Sequence, residues 1–402
     1  MREQTSLFLK LWLVLSAAAL LAIAVLNAWV DPFEAYRWAP REALGPYKME
    51  RNTRTAKAEL VRHGPCRTLL LGSSRTEMGI DPEHPLWGGS ATLNMALGAT
   101  NFIETEAVFR YAVAQQPIER VVCFADFLMF SSRRGVGEDF KQSRFAPEQA
   151  EIPYHLQLLW SERSLDGSVQ VLKNRYRDRR SGYGDHGAWL RGMNSNLLKR
   201  IGHRGMLHNI LRSFYKPSGP YGRYEYSTDR VERFQSVVEG CRAHGIRLTV
   251  VILPIHAIQL EAIRSAGLWD SFEQWKRDLT RIVSDSARGE SGAPPPELWD
   301  FTAYSGFNAE PFPPEGDTET KMRWYWESSH FRMELGDLVL YRIHGQTPPD
   351  GALPDDWGIR LTPQSVEARI VQLRHEQEAW LARNADEVEF VARMRRESQK
   401  AE

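Results

Sequence analysis

Gly72-Ser73-Ser74, at the end of the apolar run Thr68–Leu71, sets a hydroxyl on a tight turn where a buried strand gives way to a helix. A serine held there can act as a nucleophile if an imidazole takes its proton and turn amides receive the charge that develops on the substrate oxygen. The imidazole is expected from His330, in Glu327-Ser328-Ser329-His330. An acid three residues upstream can fold back to keep one ring nitrogen protonated while the other faces the serine. Asn94, Asp126, His256 and Asp300 also end strands. Arg75 either holds a carboxylate, of substrate or of Asp126, or makes a surface salt bridge. His256, in Pro254-Ile255-His256, either meets substrate or is a rim histidine with its own hydrogen bonds, and the same choice applies to Asp300. Walker, HExxH and Cys-x-x-Cys patterns are absent and no GxGxxG follows the first strand, so neither a metal nor a nucleotide cofactor is expected.

These residues need a frame. Strands are expected at Thr68–Leu71, Ala91–Asn94, Arg120–Phe124, Leu248–Leu253 and Leu298–Phe301, with helices at about Phe102–Gln115 and Thr228–His244. Alternating strands and helices imply parallel crossovers, hence an α/β fold with a covered, mainly parallel five-stranded sheet. Such sheets bind ligands beyond the carboxyl ends of their strands, where the polar residues above lie. The stretch from about 140 to 226 breaks the alternation and is expected as an insertion in a domain spanning 66–350, with one helix near Tyr154–Arg177. Residues 31–65 form a connector. Residues 351–402 are expected to end in a long charged helix, being rich in helix formers from Thr362 onward.

Leu11–Val30 is a run of about twenty residues interrupted only by Ser16 and Asn27, long enough to cross a bilayer. Arg2 and Lys10 precede it, whereas Asp31 and Glu34 follow, which places the N-terminus in the cytoplasm and the bulk of the chain outside. The run exceeds a typical secretory h-region and lacks a small-x-small site, so it is expected to stay as an anchor. Formal net charge is zero, with 51 basic and 51 acidic residues, which gives no field favouring nucleic acid. Cys66, Cys123 and Cys241 have no metal-ligand spacing and are expected to be buried thiols. Arg175, Arg177, Arg179 and Arg180 form the one dense basic group, either a contact for anionic glycan or lipid headgroups or a solvated helix end.

In this order the segments resemble the GDSL/SGNH hydrolase family from about Thr68 to Ile343, the insertion excluded. The resemblance implies a three-layer α/β/α sandwich of SGNH/flavodoxin-like type. Gly72-Ser73-Ser74 matches its first block, making Ser74 the nucleophile. Asn94 to Thr100 matches its second, with the Gly98 and Ser74 amides binding the oxyanion, and Glu327 and His330 match its last. Val30-Asp31-Pro32-Phe33, the strand end CFADFLMF, LPIHA, WDFTAYS and ESSHFR resemble a membrane-anchored SGNH-like group that accompanies bacterial surface-polysaccharide assembly and O-acetylation. That implies an inner-membrane protein with a periplasmic body, a glycan or acyl-ester substrate and envelope assembly proteins as partners. Three positions depart from the family pattern: Ser73 and Glu327 stand where it has Asp, and Asp126 where it has an oxyanion-binding Asn. An ionised carboxylate cannot donate a hydrogen bond, and losing one such donor costs about 3 kcal/mol. Asp126 is therefore expected to be protonated, to point elsewhere or to hold another group such as an Arg. Two functions stay open: a serine esterase or O-acyltransferase, and a binding or scaffold protein that kept the fold without the rate.

Overall fold

The computed structural model describes residues 2–36, 41–48, 52–147, 149–192, 195–288, 292–304 and 306–400. These divide into two compact units, one made of residues 1–64 with 138–183 and the other of 65–137 with 184–402. The expected connector and insertion are thus distributed differently. The connector and 138–183 build a unit together, whereas 184–226 belongs with the sheet. Connector residues 37–40 and 49–51 lie outside the described residues.

The larger unit is α/β, with strands β1 (Thr68–Leu71), β2 (Thr92–Asn94), β3 (Arg120–Ala125), β4 (Arg247–Ile252), β5 (Glu297–Asp300) and β6 (Ile359–Arg360). They form one mixed sheet in the order β2-β1-β3-β4-β5-β6. The first five are parallel, while β6 pairs antiparallel to β5 through Trp299–Arg360 and Asp300–Ile359. Six strands replace the expected five because β6, at two residues, is too short to leave a hydrophobic pattern. Leu69, Leu70 and Leu71 of β1, like Val250, Val251 and Ile252 of β4, are buried in succession, so both faces of the sheet are covered. β1 is followed by β2 on one side and β3 on the other. The strand order reverses there, and the crevice beyond the carboxyl ends of β1 and β3 is where such a sheet takes a ligand.

The C-terminal segment is not one charged helix. Val366–Arg383 and Ala385–Lys400 are separate helices that bury Leu373, Trp380, Val391 and Met394. Arg369 ties the first of them to the sheet, reaching the Thr302 carbonyl and lying 3.7 Å from the Asp300 carboxylate.

In the smaller unit, helix Arg2–Val30 has a stretch, Gln4–Val30, long and apolar enough to cross a membrane. Its last third packs on protein: Ala24, Asn27 and Val30 are buried. Asn27 donates from Nδ2 to the Leu159 carbonyl (2.8 Å) and accepts from Ser168 Oγ (2.8 Å). The partners come from two helices, Glu151–Trp160 and Glu162–Tyr176, where one was expected. Ser161 interrupts them and caps the second by accepting the Ser164 N–H. Within this unit the connector contributes helix Thr53–His63, whose buried Glu59 pairs with Arg144 at 2.7 Å. Arg175, Arg177, Arg179 and Arg180 are exposed at and beyond the end of Glu162–Tyr176.

Candidate active site

β1 ends at Leu71, and Gly72 makes the turn that follows. No other residue fits, because a Cβ at Gly72 would lie 2.1 Å from Thr76 Oγ1 and 3.2 Å from Phe124 Cβ. Ser73 then caps a short helix, Ser74–Gly79, accepting the Arg75 N–H at 3.4 Å. Asn94, at the end of β2, holds that helix from below by donating to the Thr76 and Ile80 carbonyls, both at 3.0 Å. The Leu97 N–H donates to the Gly72 carbonyl at 3.0 Å, bringing Gly98 beside the serine turn.

The other half is the tip of a small antiparallel turn. Tyr325 and Phe331 form a bridge, the Trp326 N–H donates to the His330 carbonyl (2.9 Å) and the Arg332 N–H to the Trp324 carbonyl (2.8 Å). Glu327 and His330 are thereby brought face to face. Buried Glu327 accepts the Ser329 N–H (2.6 Å), the His330 N–H (3.1 Å) and His330 Nδ1. A carboxylate only accepts, so Nδ1 carries the proton and Nε2 is left as the acceptor. Ser74 Oγ lies 2.9 Å from that Nε2.

Two sets of contacts set this distance. On one side, buried Arg75 donates from Nε to the Ser329 carbonyl (2.8 Å) and from Nη2 to Ser329 Oγ (2.9 Å), and Nη1 meets Asp126 Oδ1 at 2.7 Å. On the other, helix Met333–Ile343 follows the histidine turn and presses on the serine helix. A Cβ at Gly336 would stand 1.7 Å from the Gly79 carbonyl oxygen, and one at Gly79 would overlap the Phe331 ring. Ser74, Gly98 and His330 are half-buried, whereas Ser73, Arg75, Asp126, Glu327 and Ser329 are buried. Solvent therefore meets a hydroxyl, an imidazole and a glycine backbone.

Asp126, expected at the oxyanion, is not a donor. It accepts from Ser73 Oγ (2.9 Å) and the Leu128 N–H (3.0 Å) and pairs with Arg75. Burial pushes its carboxyl up, but Arg75, Arg134, the Leu128 N–H and Ser73 together outweigh that and hold it below the ordinary carboxylate value. Arg75, expected to bind substrate, is correspondingly used up inside the fold. His256 is also corrected: it is buried, caps helix Ala257–Ser265 by accepting the Ile258 N–H at Nδ1 (3.1 Å), and donates from Nε2 to the Glu310 carbonyl (2.7 Å). Burial pushes this imidazole down to about 4, so it stays neutral. Asp300 is buried, bonded to Lys276 Nζ at 2.7 Å and to Thr302 Oγ1. Its carboxyl is pulled up by burial and more strongly down by Lys276 and Arg369.

The residues that brace the histidine turn were not singled out from sequence. Ser328 Oγ donates to Gln259 Oε1 (2.6 Å), the His256 N–H to the Ser328 carbonyl (3.2 Å), and His203 Nδ1 to the Trp326 carbonyl (2.9 Å). Their signal is weak, since each is a polar residue distant in sequence with no motif of its own. Cys66, Cys123 and Cys241 are buried free thiols. Among the described residues no group of three or more His, Cys, Asp or Glu is placed to hold a metal. No family model, curated protein sequence or solved structure gives a significant match to this chain.

Proposed function

We propose that this chain is a membrane-anchored, extracytoplasmic SGNH-like serine esterase or O-acyltransferase that acts on an acetyl or similar ester of a surface glycan. The observation that carries the reading is the Ser74 Oγ–His330 Nε2 contact of 2.9 Å, with Glu327 on the other ring nitrogen. The strand order favours a three-layer, flavodoxin-like α/β/α frame with its ligand crevice at β1 and β3. The apolar helix Arg2–Val30 favours the anchor, and the charge bias around it favours a periplasmic body in a bacterial inner membrane.

In this reading Ser74 Oγ attacks the ester carbonyl as its proton passes to His330 Nε2. Glu327 stabilises the imidazolium, and the Ser74 and Gly98 amides receive the oxyanion. Collapse expels the alcohol, which takes the proton from His330 and leaves an acyl-Ser74 ester. Water, or a sugar hydroxyl deprotonated by the same imidazole, then releases the acyl group.

A second reading, a glycan-binding scaffold for an envelope assembly complex, is favoured by one observation. The Asp126 carboxylate supplies no third oxyanion donor, at a cost of about 10²–10³ in rate. The test is to expose the full chain in detergent to a fluorophosphonate probe and to p-nitrophenyl acetate, with Ser74→Ala and Glu327→Gln alongside. The enzyme reading expects labelling of wild type, none in Ser74→Ala, and slower turnover in Glu327→Gln. Labelling that survives in Ser74→Ala overturns the assignment of the nucleophile, and a wild type inert to both reagents favours the scaffold.

A further inference from the structure

The two helices packed on the anchor have a second use for an apolar surface. Helix Glu151–Trp160 is apolar on opposite sides. Tyr154 and Leu158 face inward against Phe33 and Ala35, while Ile152, Leu156 and Trp160 face outward, exposed by 74%, 49% and 44%. Glu151, His155 and Gln157 lie between the two sides, so the outward one is a separate apolar stripe. Its path along the anchor is set by its contacts. Tyr154 lies near Phe33, the Leu159 carbonyl meets Asn27, and the Trp160 indole N–H donates to the Leu20 carbonyl at 3.0 Å. Helix Glu162–Tyr176 then runs back, placing Val171 on Val30. The turn Trp160-Ser161-Glu162 is therefore the point of this helix pair that reaches furthest down the apolar helix.

We propose that this turn is a second membrane contact, with Trp160 seated among the acyl chains of a phospholipid bilayer and Leu156 above it, nearer the headgroups. The inference rests on the anchor reading of helix Arg2–Val30. Crossing the hydrocarbon takes roughly 20 helical residues. If the spanning stretch ended at Leu20, Lys10 would sit near the bilayer centre. Placing Lys10 toward the cytoplasmic face, its stem reaching back about one turn, carries the span to about Asn27. Leu20 is then about 10 Å below the far boundary, and Trp160 is bonded to it. Leu20, Leu21 and Val25 are themselves exposed, so the apolar surface of the anchor is continuous with the indole. A half-exposed ring whose N–H already has a carbonyl partner suits a medium that offers none.

The test places a nitroxide on the full chain in phosphatidylethanolamine–phosphatidylcholine vesicles, through Trp160→Cys and separately Leu156→Cys. Leu13→Cys serves as the anchor reference and Arg177→Cys as the far end of the hairpin. The native thiols are buried, and unsubstituted protein gives the background. At position 160, power saturation is expected to show oxygen access like that at 13 and nickel-chelate access several-fold lower than at 177, with 156 intermediate. Chelate access at 160 and 156 equal to that at 177, or shielding there from both reagents, overturns the inference while a lipid-like signal at 13 leaves the anchor intact. Chelate access at 13 as well overturns the anchor itself.

Discussion

Asp126 carries an ionised carboxylate beside the proposed oxyanion site, and its pairing explains how both coexist. Arg75 neutralises it and spends its remaining donors on Ser329, so the acid acts on His330 through the arginine and the turn. Asp126→Asn is consequently expected to lower activity and to cost roughly 3–5 kcal/mol, because it strands a buried guanidinium. Urea unfolding and p-nitrophenyl acetate turnover check both, and a faster variant refutes this account. His256 makes a pH prediction. Its folded value near 4 lies below the ordinary 6.5, so the unfolded chain binds a proton that the folded one refuses between those limits. The stability is fully present above about 6.5 and falls by about 1 kcal/mol per pH unit as pH drops toward 4. Burial lowers His203 as well, and His344, so they add slope of the same sign. Thermal melts from pH 7 to 4.5 are expected to show a flatter dependence in His256→Gln than in wild type.

The serine helix and the helix after His330 approach through two glycines, so close backbone contact sets the spacing of the reacting pair together with the bonds from Arg75 to Ser329. Gly336→Ala is expected to push Met333–Ile343 outward, since its methyl would overlap the Gly79 carbonyl oxygen. A shift of about 1 Å between serine and histidine costs on the order of 10² in turnover, and the overpacking itself about 1–3 kcal/mol. Fluorophosphonate labelling rates, compared with those of an exposed control such as Gly135→Ala, separate the two effects. Labelling at the wild-type rate in a destabilised Gly336→Ala would show that these helices do not set the geometry.

The apolar N-terminal helix is not detachable from the smaller unit. Asn27 and Val30 belong to the interior of the smaller unit, so cutting at residue 31 removes two hydrogen bonds and a buried valine, together about 3–5 kcal/mol. A protein starting at residue 21 is therefore expected to resist limited proteolysis within 138–183, whereas one starting at residue 32 is cleaved there. Equal resistance would place the stability of that unit elsewhere.

Read alone, the sequence located β1 to β5, the serine turn and the acid–histidine pair. Each is a local pattern: apolar runs of strand length, a glycine after one of them, and an acid three residues before a histidine. It did not reveal β6, which is two residues long, or the splitting of the expected insertion, because neither depends on neighbours in sequence. The roles of Arg75, Asp126, His256 and His203 were likewise open. A buried charge or imidazole takes its function from whichever donor or acceptor lies within about 3 Å of it, and for Arg75 and Ser329 that partner is more than 250 residues away. Only the folded chain decided which polar residues are open to solvent and which are buried holding the serine–histidine pair together.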